Sequence, residues 1–196
     1  QRLFDPELYG YFNDASTWVD LALIFGTFGI YTYAVREVSA IRDDREKVRR
    51  LYSSLFSLGF CTNTVVTLLY AAVILFSVDG AARGIYLVLG FKVLCNVFMV
   101  EWLNEAGENY RFITMKTIIV RFLYLIGIFT LIKEPDDVIK YTMLIVATDF
   151  LNNLISFVYV TKRIGLTFKG IRWGQHFMPL VSILIISNVT LLYTSL

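Results

Sequence analysis

The sequence predicts an all-α fold, a multi-pass transmembrane helix bundle with six crossings, and three observations carry that reading. Hydrophobic residues make up 57% of the chain and charged residues only 17%, with a mean hydropathy of +0.62. An ordinary soluble domain has roughly 45–50% apolar and about 25% charged residues. The apolar residues gather into runs close to the ~20 residues that a helix needs to cross a bilayer, and short polar connections separate them. One of these connections, residues 36–50, holds six of the eighteen Lys and Arg residues. A basic connection between two apolar runs resists translocation and stays on the cytoplasmic side.

Residues 1–13 mix aromatic and acidic side chains, with Asp5-Pro6-Glu7 and Tyr9-Gly10-Tyr11, and read as a loop at a membrane surface. The first crossing is expected at residues 15–35, with Trp18 at its outer end and Gly26 and Gly29 allowing close helix approach. The second follows the basic connection, at residues 51–78, and Asp79-Gly80 gives a tight turn. The third covers residues 84–103, ending at Trp102, and residues 104–111 return to polar character. The fourth, residues 113–132, is stopped by Lys133-Glu134-Pro135-Asp136-Asp137, because proline cannot continue a helix and disfavours helix in the residue before it. The fifth spans residues 138–160, and the connection after it carries Lys162, Arg163, Lys169, Arg172 and Trp173. The sixth, residues 176–193, begins near His176 and Pro179. Asn188-Val189-Thr190 has the form of a glycosylation acceptor but lies within an apolar run, which argues against that use.

Six crossings place alternate connections on alternate sides, and the basic residues then divide unevenly. The side of residues 36–50 holds Arg36, Arg42, Arg45, Lys47, Arg49, Arg50, Arg111, Lys116, Lys162, Arg163, Lys169 and Arg172, twelve in all; the other side holds Arg2, Arg83, Lys133 and Lys140. Such a bias sets orientation. The amino terminus then lies outside, and the chain reads as a fragment with a crossing missing before Gln1. A net charge of +2 with basic residues spread over connections does not suit nucleic acid. Cys61 and Cys95 stand alone in apolar runs and read as small buried side chains, and His176 reads as interfacial; no metal or cofactor is expected.

Two cations, Lys92 and Arg121, and one carboxylate, Asp149, fall near the middle of their crossings. An ionisable group at mid-bilayer costs about 2.5 kcal/mol or more and normally faces a protein interior or a watery cavity. Helical spacing puts Thr114, Thr117, Arg121 and Tyr124 on one face, and Thr142, Asp149, Asn152, Asn153 and Ser156 on another. Lys92 and Asn96, and Asn63, Thr67 and Tyr70, add two more polar faces. The pattern predicts a bundle around a hydrated cavity. Asp149 would neutralise one cation as glue between helices, and the other cation would suit an anionic ligand.

Several stretches carry a resemblance to a known family. Leu3-Phe4-Asp5-Pro6-Glu7-Leu8-Tyr9-Gly10-Tyr11 resembles the L-G-P-E-x-Y-G-x-Y loop of bacterial polysaccharide flippases of the Wzx type, in the MOP exporter superfamily. Gly29-Ile30-Tyr31-Thr32-Tyr33-Ala34-Val35-Arg36-Glu37-Val38 is similar to their G-x-x-x-Y-x-x-R-E-(I/V) segment, and Glu101-Trp102 with the 107–113 stretch resembles W-x-x-x-G-x-E-x-(Y/F)-x-x-(I/L). Tyr193-Thr194-Ser195-Leu196 is similar to Y-T-S-L-D. The departures are Phe4-Asp5 in place of glycine and Glu101 beside Trp102. The resemblance implies that residues 1–173 are an amino-terminal lobe lacking its first helix and residues 174–196 the first helix of a carboxy-terminal lobe.

It also implies a function: a non-enzymatic flippase in the bacterial inner membrane that moves undecaprenyl-diphosphate-linked oligosaccharide, such as O-antigen, by alternating access. Arg121, Lys92, Tyr124, Asn152 and Asn96 are then the expected substrate-binding residues, and Asp149 the ion-coupling or charge-pairing residue. Membrane lipids, a polysaccharide polymerase and a chain-length regulator are the expected partners, with no nucleic acid. The alternatives are a MOP-fold antiporter of drugs or cations, which would want more acidic cavity residues, and a multi-pass enzyme of polysaccharide assembly. The orientation gives a direct test. A cysteine replacing Glu46 is expected to resist an impermeant thiol reagent in intact cells and one replacing Asp136 to react; the reverse labelling would overturn the topology.

Overall fold

The computed structural model describes residues 4–167 and 173–194, which form six rods, two of them broken. Helices α1 (Pro6–Thr27) and α2 (Ile30–Ile41) make the first rod and α3 (Arg45–Ser77) the second. Helix α4 (Gly80–Cys95), a 3-10 turn (Asn96–Phe98) and α5 (Glu101–Ala106) make the third, followed by α6 (Tyr110–Leu131), α7 (Val138–Ile164) and α8 (Trp173–Thr194). The first five rods contain stretches long and apolar enough to cross a membrane, and α8 is apolar over Trp173–Ile186. The described residues contain no strand, and the chain is a helical, multi-pass membrane bundle. Arg2, Lys169 and Arg172, the side chains of Asn188, Val189 and Thr190, and Ser195 and Leu196 lie outside what is described.

The stretch expected as a surface loop is helix from Pro6 onward. Asp5 Oδ1 accepts from the backbone N–H groups of Glu7 at 2.9 Å and Leu8 at 3.1 Å, and Pro6 occupies the first turn, so this is a capped start. The Asp5 N–H donates to the Pro135 carbonyl at 3.0 Å, which ties the entry to the turn between α6 and α7. In that turn Asp137 accepts from the Lys133 and Glu134 N–H groups and pairs with Lys140, which holds its carboxyl down to about 2.

The basic stretch is also mostly helix. Only residues 42–44 lie between α2 and α3, and the Asp44 carboxylate caps α3 by accepting from the Lys47 N–H at 3.1 Å. Glu46 pairs with Arg49 and Arg50 one turn on, so the charges stay solvated along the helix ends rather than in a loop. Cys61 is exposed, not buried as expected; it lies on the α3 face that presents Phe60, Val65 and Leu68 outward. A small polarisable thiol sits there at little cost among apolar neighbours. Cys95 is buried.

Helix α4 is the centre of the bundle, packing against α1, α3 and α7. The buried apolar residues fall into two cores stacked along the rods. One, around Ala15, Val19, Ile74, Ile85, Leu89 and Val138, fills the end near the Pro135 turn. The other, around Val38, Val48, Tyr52, Trp102, Ala106 and Val160, fills the basic end.

Both helix breaks lie between these cores, where Asn63, only 2% exposed, serves each of them. At the first break Phe28 and Gly29 take left-handed conformations (φ 49° and 69°). A helix that ends there leaves its last carbonyls unpaired, which lipid does not tolerate. Asn63 Nδ2 donates to the Gly26 carbonyl at 3.0 Å and Thr62 Oγ1 donates to the same oxygen at 2.8 Å. Asn63 Oδ1 in turn accepts from Asn96 Nδ2 at 3.2 Å, at the second break. Gly26 is needed for this approach, because a Cβ there would stand 2.6 Å from Asn63 Oδ1.

Replacing Asn63 with Leu leaves the Gly26 carbonyl short of a donor and should cost about 1–2 kcal/mol. Gly26→Ala should destabilise the wild type but do far less in an Asn63→Ala background, where the clash is gone. Thermal unfolding of the single and double variants in detergent measures this, and simple additivity would refute the contact's role.

Candidate functional site

The mid-membrane ionisable residues converge on one pocket of about 370 Å³ between α4, α6 and α7. Its walls include Lys92 from α4, Thr117, Arg121 and Tyr124 from α6, and Thr148, Asp149 and Asn152 from α7. Arg121 is the twelfth of 22 residues in α6, and Asp149 the twelfth of 27 in α7, so both sit well inside their helices. The i, i+3 and i+4 spacings that put each set on one helix face supply the convergence. Helix α6 packs chiefly on α7 and α5, so it stands at the edge of the bundle, and Arg121 on it is exposed.

Lys92 Nζ lies 3.2 Å from Asp149 Oδ2, and both side chains remain partly exposed. Arg121 is exposed and has no ion pair among the described residues. Asn152 Oδ1 is buried without a hydrogen-bond partner. The pocket therefore holds one neutralised pair and one free guanidinium, a net positive site. Guanidinium and ammonium groups bind oxyanions, Arg through a planar fork of donors and Lys as a point charge.

Asn96 is not part of this pocket. Its amide turns to Asn63 at the second break, in a separate crevice lined by Thr27, Asn63 and Trp102. The polar face expected on the second crossing is likewise used up in packing. Thr67 back-bonds to the Asn63 carbonyl, and Tyr70 donates to the Tyr86 carbonyl at 3.1 Å. On α7, Thr142 is buried and bonds to the Val138 carbonyl. Thr114 on α6 is exposed and does not line the pocket.

Sequence reasoning missed a second ionic centre. Lys116, counted above among the loop cations, is buried inside the bundle with its side chain 2% exposed. It donates to Glu101 Oε2 at 2.5 Å and to Ser156 Oγ at 2.7 Å, and Ser156 donates to the same carboxylate. The third rod's break delivers Glu101 here, since it opens α5 immediately after the interruption. Removing Lys116 from the tally leaves eleven basic residues against four, and the bias keeps its sign. The available signal was Glu101 itself, an acidic residue beside Trp102 within an apolar run.

Among the described residues, no group of three His, Cys, Asp or Glu side chains is placed to hold a metal ion. No curated protein and no solved structure matches the chain. A family model does, the one described as polysaccharide biosynthesis protein, and the match runs over residues 1–194. With all but its last two residues matched, the chain belongs to the polysaccharide biosynthesis protein family.

Proposed function

We propose that residues 1–173 belong to the amino-terminal lobe and residues 174–196 to the carboxy-terminal lobe of a Wzx-type flippase, which carries a lipid-linked oligosaccharide diphosphate across the bacterial inner membrane by alternating access. Arg121 carries this reading: a guanidinium at membrane depth, with no ion pair among the described residues, facing a pocket of about 370 Å³. A free cation at that depth is costly unless water or an anion reaches it. A diphosphate offers the bidentate oxygens that a guanidinium fork matches. Lys92, held by Asp149, is a second cation that the substrate can recruit as the pair loosens. Asn152, with its unpaired acceptor, and Tyr124 fit the hydroxyls of the first sugar. The exposure of the pocket on the flank of the lobe suits a cavity closed by a second lobe, with α8 as the helix that leads to it.

The Lys92–Asp149 pair also fits ion coupling, because a carboxylate released from its lysine can take up a proton or sodium ion. An antiporter of drugs or cations would use that carboxylate without needing Arg121. The family match favours the polysaccharide substrate over that alternative.

Arg121→Ala should abolish appearance of the oligosaccharide at the exterior leaflet while leaving folding and insertion intact, since Arg121 has no ion pair among the described residues. Arg121→Lys should restore transport only in part, because the fork is lost. Full activity in Arg121→Ala would exclude the diphosphate role.

Breaking the central pair has a different expected signature. Lys92→Met and Asp149→Leu should each lower thermal stability, and the double variant should recover most of that loss, because an unpaired charge costs more than an apolar pair. Equal losses that simply add would show that the two side chains do not depend on each other.

A further inference from the structure

A second pocket, of about 330 Å³, opens at the basic end of the bundle, far along the rods from Arg121. Three guanidiniums line it: Arg42 from the α2–α3 turn, Arg45 from the start of α3 and Arg163 from the last turn of α7. Its floor is apolar, with Val38, Val48, Leu103 and Val160. One carboxylate, Glu108, meets Arg42 at 2.5 Å and is itself largely exposed. Arg45 donates to the Arg163 carbonyl at 2.7 Å, which draws the ends of α3 and α7 together.

The wall also holds Asn104, 3% exposed, whose Nδ2 has no hydrogen-bond partner. Its Oδ1 faces the Asn109 amide at 3.5 Å, and Asn109 Nδ2 donates to Tyr159 Oη at 3.0 Å. The asparagine is thus oriented with its acceptor side occupied and its donor side free. A buried donor left unpaired is costly, and few such groups persist in folded proteins without a purpose. Three cations surround a space with an apolar floor, Arg42 among them being paired with Glu108 and close to Asp43.

We infer that this pocket is a binding site for a phosphate group at the basic membrane interface, separate from the mid-membrane pocket and independent of its substrate. The guanidiniums of Arg45 and Arg163 take the phosphate oxygens. Two sources have this chemistry: the headgroup of an anionic phospholipid, with its glycerol against the apolar floor, and a free phosphate. Basic pockets between helices at a cytoplasmic interface are suited to the first.

The test uses the full chain purified in detergent, with thermal unfolding followed as phosphatidylglycerol or inorganic phosphate is added. Phosphatidylglycerol should raise the unfolding temperature in a saturable way, more strongly at low than at high salt. The Arg45→Gln/Arg163→Gln double variant should bind it at least roughly tenfold more weakly. Arg83→Gln, which removes a cation at the opposite end of the bundle from a place outside both pockets, should bind like the wild type. Stabilisation by inorganic phosphate alone, lost in the same double variant, assigns the site to a soluble phosphate. No saturable response to either probe, or a response that the arginine double variant keeps, overturns the inference.

Discussion

Asn63 meets the demand that governs any interrupted helix in lipid: every backbone group that the break releases must find a partner inside the protein. Its amide donates to the Gly26 carbonyl released by the first break, and its oxygen accepts from the Asn96 side chain at the second, so one buried side chain joins two interruptions at the same depth. The rest of the arrangement follows from those interruptions. The first lets α2 leave the line of α1 and pack against α5, and Gly29 at that break leaves room for the backbone of α8, whose Leu180 carbonyl would stand 3.2 Å from a Cβ there. The second lets α5 begin with Glu101 turned to Lys116 and Ser156, which binds α5, α6 and α7 into one unit.

The rods were legible in the sequence wherever punctuation was local. The expected crossings at 113–132 and 138–160 lie close to α6 and α7, because Pro135 and its acidic neighbours end one apolar run and Asp137 opens the next. The start of α1 was misread because aromatic and acidic residues at an interface look like a loop, although Asp5-Pro6-Glu7 is a helix-start signal. The two breaks left little trace. Neither contains proline, and the residue that joins them, Asn63, is 37 residues from Gly26 and 33 from Asn96.

The mid-membrane pocket was legible for a related reason. Lys92, Arg121, Tyr124, Asp149 and Asn152 stand out because charge and amide groups are rare in such runs, and helical periodicity groups those that share a rod. Which polar residues line a pocket and which serve packing is decided between rods. Asn96 and Asn63 carry the same chemical label as Asn152 yet are spent on each other, and Tyr70 is spent on the Tyr86 carbonyl. Lys116 shows the opposite failure: near the end of its run it resembles a snorkelling loop cation, and only Glu101, brought in by the break, accounts for its burial.

The division of the apolar interior into two stacked cores has a mechanical consequence. A bundle with one continuous core resists bending along its whole length, because any tilt must repack many interlocked side chains. Here two stiff blocks meet at a thin polar layer, and two of the rods crossing that layer are already discontinuous. At that level the first and third rods are joined through the amide hydrogen bonds of Asn63 and Asn96, while α3 and α7 run through it unbroken. The bundle therefore gathers its backbone interruptions at one level, between the basic end and the end that Asp5 ties to the Pro135 turn.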